Sequence, residues 1–321
     1  MDPDFEKPLV DVEKRISELS KLNEQNDVSF DGEIKELRKK LRSLEKKVYG
    51  KLTPWQNVQV ARHSERPILQ DYIKALFTEF IELHGDRAFG DDKALVGGFA
   101  TLNNQKVMLL GMEKGKTVEE KIEHNFGMSS PEGYRKALRL MKLAEKFGLP
   151  VLCLVDTPAA YPGKEAEERG QAEAIARNLA EMITLETHIL ILVTGEGGSG
   201  GALGIAVGDR VMMLSNSIYS VIPPEGCAAI LWRDAEKAPE AAEALKLTAN
   251  ELLKLGIIDE IIPEPTGGAH RDYAATMAAV KESVSKHLTA LKRTSMRKLL
   301  DKRYEKYTKI GRYKTSSRRR R

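Results

Sequence analysis

Cysteine is scarce in this 321-residue sequence, which contains only Cys153 and Cys227. Two cysteines cannot form a disulfide framework, and this usage is typical of a protein of the reducing cytoplasm. The sequence also lacks CxxC and HExxH patterns, so it offers none of the common zinc motifs. We therefore predict a cytoplasmic chain that holds no metal of its own.

Long apolar runs are absent as well. No segment approaches the ~18 consecutive apolar residues that a membrane-spanning helix needs. Three of the first six residues are acidic and none is basic, whereas a signal peptide begins with basic and then apolar residues. With 41% hydrophobic and 31% charged residues, the composition is typical of a globular protein without a membrane partner.

Positive charge is concentrated at the C-terminus. Ten of the 51 Lys and Arg residues lie beyond residue 300, together with only two of the 47 acidic residues. The four consecutive arginines at 318–321 could contact nucleic acid or other polyanions. Terminal runs of this kind are more often solvated, so we predict no nucleic-acid partner.

Helical spacing of apolar residues predicts an arm at the N-terminus. Two apolar repeats are separated by the polar residues 23–32, which indicates an antiparallel helical hairpin over residues 1–50. The arm could be a lid on its own domain or a contact with another subunit. The repeats consist of Val12, Ile16, Leu19 and Leu22, followed by Ile34, Leu37, Leu41, Leu44 and Val48.

Strands and helices then alternate along the chain, which predicts a layered α/β core with a mostly parallel sheet. Thr53 and Pro54 are expected to begin a helix, and Thr248 is expected to form a capping box with Glu251. We predict a main domain over 51–293 and a C-terminal helix with a basic tail over 294–321. Strands are expected at 106–111, 151–155, 189–193, 211–214 and 218–222, and helices at 68–83, 131–146, 165–185, 248–255 and 273–291.

The glycine turn, residues 195–202, is the strongest chemical signal. It reads Gly-Glu-Gly-Gly-Ser-Gly-Gly-Ala, directly after a buried strand and before a helix of small residues. Glycines let backbone N–H groups approach a ligand, and a helix N-terminus adds partial positive charge. The turn therefore predicts an oxyanion hole, in which one donor lowers a barrier by ~3–4 kcal/mol.

Two other functions use similar glycine patterns. A dinucleotide site would need an acidic residue ~20 positions after the turn, and residues 215–222 contain none. A serine hydrolase would use Ser199 as nucleophile, and Asp259 and His270 follow it in the order that some hydrolases show. The hydrolase stays open as an alternative at this point.

Three further segments are candidates for the same site. Residues 156–163 follow a second buried strand, and loops after neighbouring parallel strands face one crevice. A helix entry carries Arg135, Lys136 and Arg139, which could meet the phosphates of a coenzyme A-like ligand or form a solvated basic face. Glu225 begins another helix, where it could be an acid or base or could cap the helix.

The order of these motifs resembles the crotonase superfamily and, more narrowly, the bacterial family of acetyl-CoA carboxylase carboxyltransferase alpha subunits. The resemblance runs from about residue 5 to 310. Besides the glycine turn, it is carried by residues 125–139, 156–171, Pro-Glu-Gly-Cys at 224–227 and Ile-Pro-Glu-Pro-Thr-Gly-Gly-Ala-His at 262–270.

The resemblance implies a crotonase/ClpP-like layered α/β core and an ATP-dependent complex for fatty acid biosynthesis. The family moves a carboxyl group from carboxybiotin, carried on biotin carboxyl carrier protein, to acetyl-CoA and forms malonyl-CoA. Biotin is then a co-substrate, biotin carboxylase is a further partner, and activity needs a zinc-bearing beta subunit, expected as α2β2. By motif position, the catalytic residues are Gly200 and Gly201, and the biotin-binding residues are Ala160, Tyr161, Gly163, Gly198 and Ser199.

Two residues depart from the family pattern. Ala159 stands where the family usually has glycine, and Pro223 stands where a small polar residue is expected. Two further alternatives follow from the residues. The chain could be a stand-alone crotonase-type enzyme that uses Glu225 or Glu196 as acid or base, or a catalytically inactive scaffold that recruits partners through its arm.

Overall fold

The structure, a computed structural model, describes residues 4–25 and 29–311. Helices α1 (Lys7–Gln25) and α2 (Asp31–Tyr49) form the predicted hairpin. The Asn23 side chain closes it, since its Oδ1 accepts from the Phe30 amide at 2.6 Å. Residues 26–28 of the predicted turn and the arginines at 318–321 lie outside the described residues.

One sheet of eight strands organises the described part of the chain. Its order is β1-β2-β3-β4-β5-β6-β8, with β7 paired to the far end of β5. β1 pairs with β2, and β2 with β3, in antiparallel orientation. The remaining pairings are parallel, as predicted for the central part of the sheet. The strands are β1 Glu79–Glu82, β2 Leu95–Leu102, β3 Gln105–Met112, β4 Val151–Thr157, β5 Ile189–Gly198, β6 Arg210–Leu214, β7 Ile218–Ser220 and β8 Glu260–Ile262.

Helices cover both faces of the sheet. Short 3-10 turns lie at Asp4–Glu6, Asn125–Gly127 and Ala235–Lys237. The remaining α-helices are α3 Pro54–Ala61, α4 Leu69–Leu76, α5 Val118–Glu123, α6 Pro131–Lys146, α7 Lys164–Glu168, α8 Gln171–Thr184, α9 Ser199–Leu203, α10 Pro224–Trp232, α11 Ala238–Leu245, α12 Ala249–Lys254, α13 Tyr273–Leu291 and α14 Met296–Thr308.

Two apolar cores lie on opposite faces of the sheet, because successive strand side chains point to opposite faces. Val151 and Cys153 of β4 face the core beneath α6 and α8. Leu152 and Leu154 face the core that α4 and α13 cover. This alternation within strands that are buried on both faces builds the layered α/β core that the sequence predicts.

Three local predictions were wrong. The helix expected over 68–83 ends at Leu76, since the chain extends at Phe77 and pairs as β1 with β2. The helix expected over 165–185 is split, because Gly170 adopts a left-handed conformation (φ 84°) between α7 and α8. The capping box of Thr248 does not form, and Glu251 instead pairs with Lys254 at 2.9 Å.

Across the described ranges, no helix has the length and apolar character needed to cross a membrane.

Candidate active site

The two loops that the sequence singled out meet at the carboxyl ends of neighbouring strands. β4 and β5 pair in parallel up to Thr157 and Gly197. The pairing slips between Val155 and Thr157, so β5 contributes extra residues where the glycine turn begins. Residues 158–160 therefore lie directly beside the glycine turn.

The glycine turn contacts this loop without space for side chains. A Cβ on Gly198 would lie 1.9 Å from the carbonyl oxygen of Pro158, and a Cβ on Gly201 would lie 2.3 Å from the carbonyl carbon of Ala159. Gly200 differs, because its nearest neighbour would be the Ile175 side chain at 3.7 Å. Packing within the chain explains glycine at 198 and 201 but not at 200.

Short helix α9 presents backbone donors in its first turn. The amides of the first residues of a helix have no acceptor within that helix. Ser199, where α9 begins, has a left-handed φ of 49°. The Tyr134 hydroxyl donates to the Gly201 carbonyl at 3.1 Å and anchors the turn from below.

A narrow crevice opens beside the glycine turn. Gly197, Gly198 and Pro158 form one wall, and Ile222 and Pro223 belong to the opposite wall. Among the residues predicted for the site, Gly198 lines this crevice, while Gly200 and Gly201 lie in the following turn of α9.

The predicted biotin loop lies next to α9 and is held in place by hydrogen bonds. The Tyr161 amide donates to the Ser129 carbonyl at 3.0 Å, and the Gln171 side chain donates to the Tyr161 carbonyl at 2.9 Å. Gly163 packs against the Tyr161 ring, where a Cβ would lie 2.4 Å from Cε1. Ala160 is half-buried in the stretch that contacts Gly201. These residues border the turn without lining the narrow crevice.

The two departures from the family pattern fit the backbone. Ala159 is not among the residues with positive φ, so its methyl group adds no left-handed strain. Pro223 precedes α10 with φ −59°, a value that suits proline.

A chain of alternating charges lies beneath the glycine turn. Lys114 Nζ lies 2.7 Å from Asp156 Oδ1 and 3.0 Å from Glu196 Oε2. Arg62 Nε lies 2.6 Å from Glu196 Oε1, and its Nη1 donates to Glu225. The Glu196 amide also donates to Asp156 at 2.9 Å. We call these five residues the ion chain.

The ion chain holds Glu196 as a carboxylate. Burial opposes its ionisation, but the charges of Lys114 and Arg62 outweigh burial and place the pKa of Glu196 below its ordinary value. Glu225 pairs with Arg62 and does not cap α10 through its side chain. Both acids that a stand-alone crotonase enzyme would use are therefore engaged in ion pairs.

The hydrolase triad is not assembled. The Asp259 carboxylate accepts from the Val211 amide and from Lys306, at the opposite end of β6 from the crevice. The His270 ring stacks on His63, with ring centroids 3.8 Å apart. Neither side chain bonds to Ser199, so the nucleophile hypothesis has no base in the described structure.

The basic face of α6 is structural. Arg135 pairs with Asp86 at 2.8 Å, and Lys136 bonds to Asp91 and to the Asp92 carbonyl. Arg139 donates to the carbonyls of residues 84 and 85. These side chains hold the loop before β2. The basic face of α6 is therefore neither the phosphate site nor the solvated face that the sequence analysis considered.

Three side chains of kinds that bind metal ions lie close together, away from the glycine turn. Glu6, His63 and His270 bring potential ligand atoms within 4.8 Å of one another. However, the two imidazole planes are stacked within 8° of parallel, so their in-plane lone pairs do not converge on a single ion.

Arg62 and Lys114 were missed by the sequence analysis. Arg62 is 134 residues from Glu196 and Lys114 is 82, so no spacing rule joins them. The available signal was their position, since Arg62 ends a well-capped helix and Lys114 follows a buried strand.

Solved structures share this fold. The transcarboxylase 12S core matches with a TM-score of 0.57 at 17% identity, covering 82% of this chain and 47% of that chain. The geranyl-CoA carboxylase beta subunit of P. aeruginosa gives 0.56 at 14%, covering 83% and 48%. A Pseudomonas malonate decarboxylase hetero-tetramer gives 0.57 at 16%, covering 73% and 90%. This chain spans about half of the first two chains, and its fold is that of crotonase-like carboxyltransferases.

Sequence relatives narrow this class. The family model described as acetyl co-enzyme A carboxylase carboxyltransferase-like matches residues 3–311. The protein called acetyl-coenzyme A carboxylase carboxyl transferase subunit alpha in Halalkalibacterium halodurans is 55% identical to this chain, over 97% of this chain and 95% of the relative. The protein of that name in Geobacter metallireducens is 54% identical, over 97% of both. The chain belongs to this carboxyltransferase alpha-subunit family, and carboxyl transfer is its activity.

Proposed function

We propose that this chain forms one half of the carboxyltransferase centre of an acetyl-CoA carboxylase, and that a beta subunit forms the other half. The centre transfers a carboxyl group from carboxybiotin to acetyl-CoA and produces malonyl-CoA for fatty acid biosynthesis. The observation that carries the proposal is the glycine turn, which offers backbone donors while the neighbouring acids are held in the ion chain. Such a site stabilises negative charge and has no acid or base of its own.

The residues present fit a bound biotin group. When bound, carboxybiotin supplies the carboxyl group in an activated form. In this proposal the amides of Gly200 and Gly201 donate to the oxygen on which negative charge develops. Gly198 and Ser199 carry the turn that orients them, and the open space at Gly200 supports its exposure to a ligand. Ala160, Tyr161 and Gly163 border the bound ring.

A beta subunit has a suitable surface beside the crevice. Three large apolar side chains are exposed on helix α10 and just before it. Val221 and Ile230 are each 72% exposed, and Leu231 is 63% exposed. Ile230 and Leu231 are consecutive, and neighbouring exposed apolar side chains are typical of protein interfaces. Val221 adjoins Ile222 and Pro223, which line the crevice, and Ile230 and Leu231 lie near the C-terminal end of α10. We propose that the beta subunit covers this face in an α2β2 assembly and completes the site.

The remaining partners follow from the same proposal. Biotin carboxyl carrier protein delivers the biotin group, biotin carboxylase recharges it, and zinc is expected on the beta subunit. The complex is expected to act in the cytoplasm.

The test is malonyl-CoA-dependent carboxylation of a free biotin analogue, which is the reverse reaction. It is measured for this chain alone, for the beta subunit alone and for the two mixed. Activity confined to the mixture is expected. Activity of this chain alone would instead support a stand-alone crotonase-type enzyme. An inactive mixture that nevertheless forms a complex would support the scaffold.

A further inference from the structure

Arg62 joins two elements that face each other across the crevice. Its guanidinium lines the crevice, at the residue where α3 ends. Nε donates to Glu196 of β5 at 2.6 Å, and the two Nη atoms donate to Glu225 of α10, the longer bond being 3.5 Å. One side chain thus binds two carboxylates that belong to opposite walls.

The Glu196 end of this link is rigid. Lys114 binds Glu196 and Asp156 together, and the Glu196 amide donates to Asp156. Gly195 has no room for a side chain, because a Cβ there would lie 2.4 Å from the Asp156 carboxylate. The Glu196 carboxylate is therefore fixed to the ends of β4 and β5.

The Glu225 end belongs to an element that packs away from the sheet. The buried residues Cys227 and Ala228 of α10 pack on Ala241 of α11. Strand β7, which pairs with Glu196–Gly198 up to Ser220, holds the chain to the glycine turn. Beyond β7, the bond of Glu225 to Arg62 and the crevice residues connect the first turn of α10 with the glycine turn. Because Glu225 lies in the first turn of α10, next to Pro223 and Pro224, its bond to Arg62 fixes that wall.

We propose that Arg62 is a positioning residue for carboxyl transfer, which sets the distance between α10 and the glycine turn. Three of its five N–H groups bond to Glu196 and Glu225, and in this proposal Arg62 acts through these carboxylates and not as a ligand of the transferred group. Arginine suits this role because its planar fork binds two carboxylates at once, which a lysine ammonium does less well.

The inference rests on the proposed function, so the experiment uses the same complex with the beta subunit. The reverse reaction is measured for wild type, Arg62→Gln, Arg62→Lys, Glu225→Gln and the double variant Arg62→Gln/Glu225→Gln. We expect Arg62→Gln to lower kcat about 10-fold, the scale of one lost charge-assisted hydrogen bond, with KM for malonyl-CoA within about twofold. Arg62→Lys should restore part of the loss.

Two readouts separate positioning from general weakening of the fold. If Arg62 and Glu225 act as one unit, the double variant should be no slower than Arg62→Gln alone. Loss of Arg62 also removes one of the two cations beside Glu196, so Glu196 should become protonated at a higher pH. The fall of kcat in acid should therefore begin at a higher pH in this variant. Arg210→Gln is the matched control, because Arg210 pairs with Asp259 at the far end of β6 and should leave kcat unchanged.

Several outcomes would overturn the inference. These are unchanged kcat in Arg62→Gln or Glu225→Gln, additive losses in the double variant, or an equal loss in Arg210→Gln. Glu225→Gln keeps the test informative if Arg62→Gln fails to fold, since the Glu225 side chain is 39% exposed. An inactive wild-type complex would overturn the proposed function itself, whereas an active wild type with active variants would overturn only the role of Arg62.

Discussion

Glu196 illustrates how a carboxylate within the glycine turn can be excluded from proton transfer. It lies between Gly195 and Gly197, where an acid would be well placed to protonate a substrate. Lys114 and Arg62 bind its two oxygens and keep it ionised at neutral pH. The turn therefore provides dipoles and no mobile proton, which agrees with chemistry that needs stabilised negative charge.

Gly200 gives the sharpest residue-scale prediction. Gly200→Ala should fold normally, because the added methyl group has room and alanine favours a helix by up to ~1 kcal/mol over glycine. If the Gly200 amide faces the ligand, the methyl group crowds that approach. We expect kcat/KM of the reverse reaction to fall about 10- to 100-fold, on the scale of a lost oxyanion donor.

Gly201→Ala is the comparison variant. Its methyl group would meet the backbone of Ala159 and Ala160 at 2.3–2.4 Å, so the turn must shift. We expect it to lower both activity and thermal stability, whereas Gly200→Ala lowers activity alone. A fully active Gly200→Ala variant would contradict the assignment of Gly200 to the oxyanion site.

The candidate site was predictable in part. The glycine turn and residues 156–163 could be placed together because each follows an apolar strand, and ligands collect beyond the carboxyl ends of parallel strands. The ion chain could not be predicted, since Arg62 and Lys114 reach it from separate parts of the sequence. Likewise, nothing local distinguished Arg135 as a partner of Asp86 from a phosphate ligand.

At the scale of elements, the sequence predicted buried strands well and element ends poorly. β4 and β5 are continuous apolar runs, which identify them without tertiary information. β1 was mistaken for helix, because its pairing with β2 is a tertiary contact that overrides local preference. The break before α8 depends on the backbone of Gly170, whose left-handed conformation sequence spacing does not reveal.

The fully buried Arg303 anchors helix α14 to the core. Arg303 makes five hydrogen bonds, two to the Asp209 carboxylate and three to the carbonyls of Met182, Leu185 and Thr187. These bonds use all five of its N–H donors. They join α14 to the end of α8 and to the segments beside β5 and β6.

Arg303→Met should therefore destabilise the whole fold. Breaking a buried ion pair by removing one partner typically costs about 3–5 kcal/mol, since the other charge is left buried. Urea unfolding followed by circular dichroism would measure the loss. Lys302→Met, an exposed neighbour on the same helix, should change stability by less than about 0.5 kcal/mol. Equal stability of the two variants would show that α14 is not fastened in this way.

At the scale of the molecule, the N-terminal arm is joined to the domain at its base. Glu13 of α1 pairs with Arg271 at 2.6 Å, and Arg271 also donates to the Tyr49 hydroxyl of α2 at 3.4 Å. Neither main core includes a residue before Leu69. These facts support our proposal of an arm over 1–50 and a main domain over 51–293. Of the segment 294–321, the part up to residue 311 is described, and the contacts of α14 favour a helix that belongs to the domain.

The base of the arm also contains the histidine that should shape the pH dependence of stability. Burial first, and then the neighbouring His63, Arg271 and Arg66, lower the pKa of His270 to about 3. Both ring nitrogens of His270 are buried without a hydrogen-bond partner in the described structure. The folded protein therefore keeps this imidazole neutral in mild acid, whereas the unfolded chain takes up a proton below pH ~6.5.

The neutral His270 imidazole makes its full contribution to the free energy of unfolding above pH ~6.5. This contribution is lost progressively as the pH falls toward about 3. At pH 5 the full effect would be about 2 kcal/mol, which solvent screening at this partly exposed residue reduces to about 1 kcal/mol. His270→Gln cannot titrate, so its free energy of unfolding should fall less between pH 7.5 and 5.0 than that of wild type. Urea unfolding at both pH values measures this difference. If His270→Gln showed the wild-type pH dependence, the neutral imidazole at the arm's base would have no part in acid sensitivity.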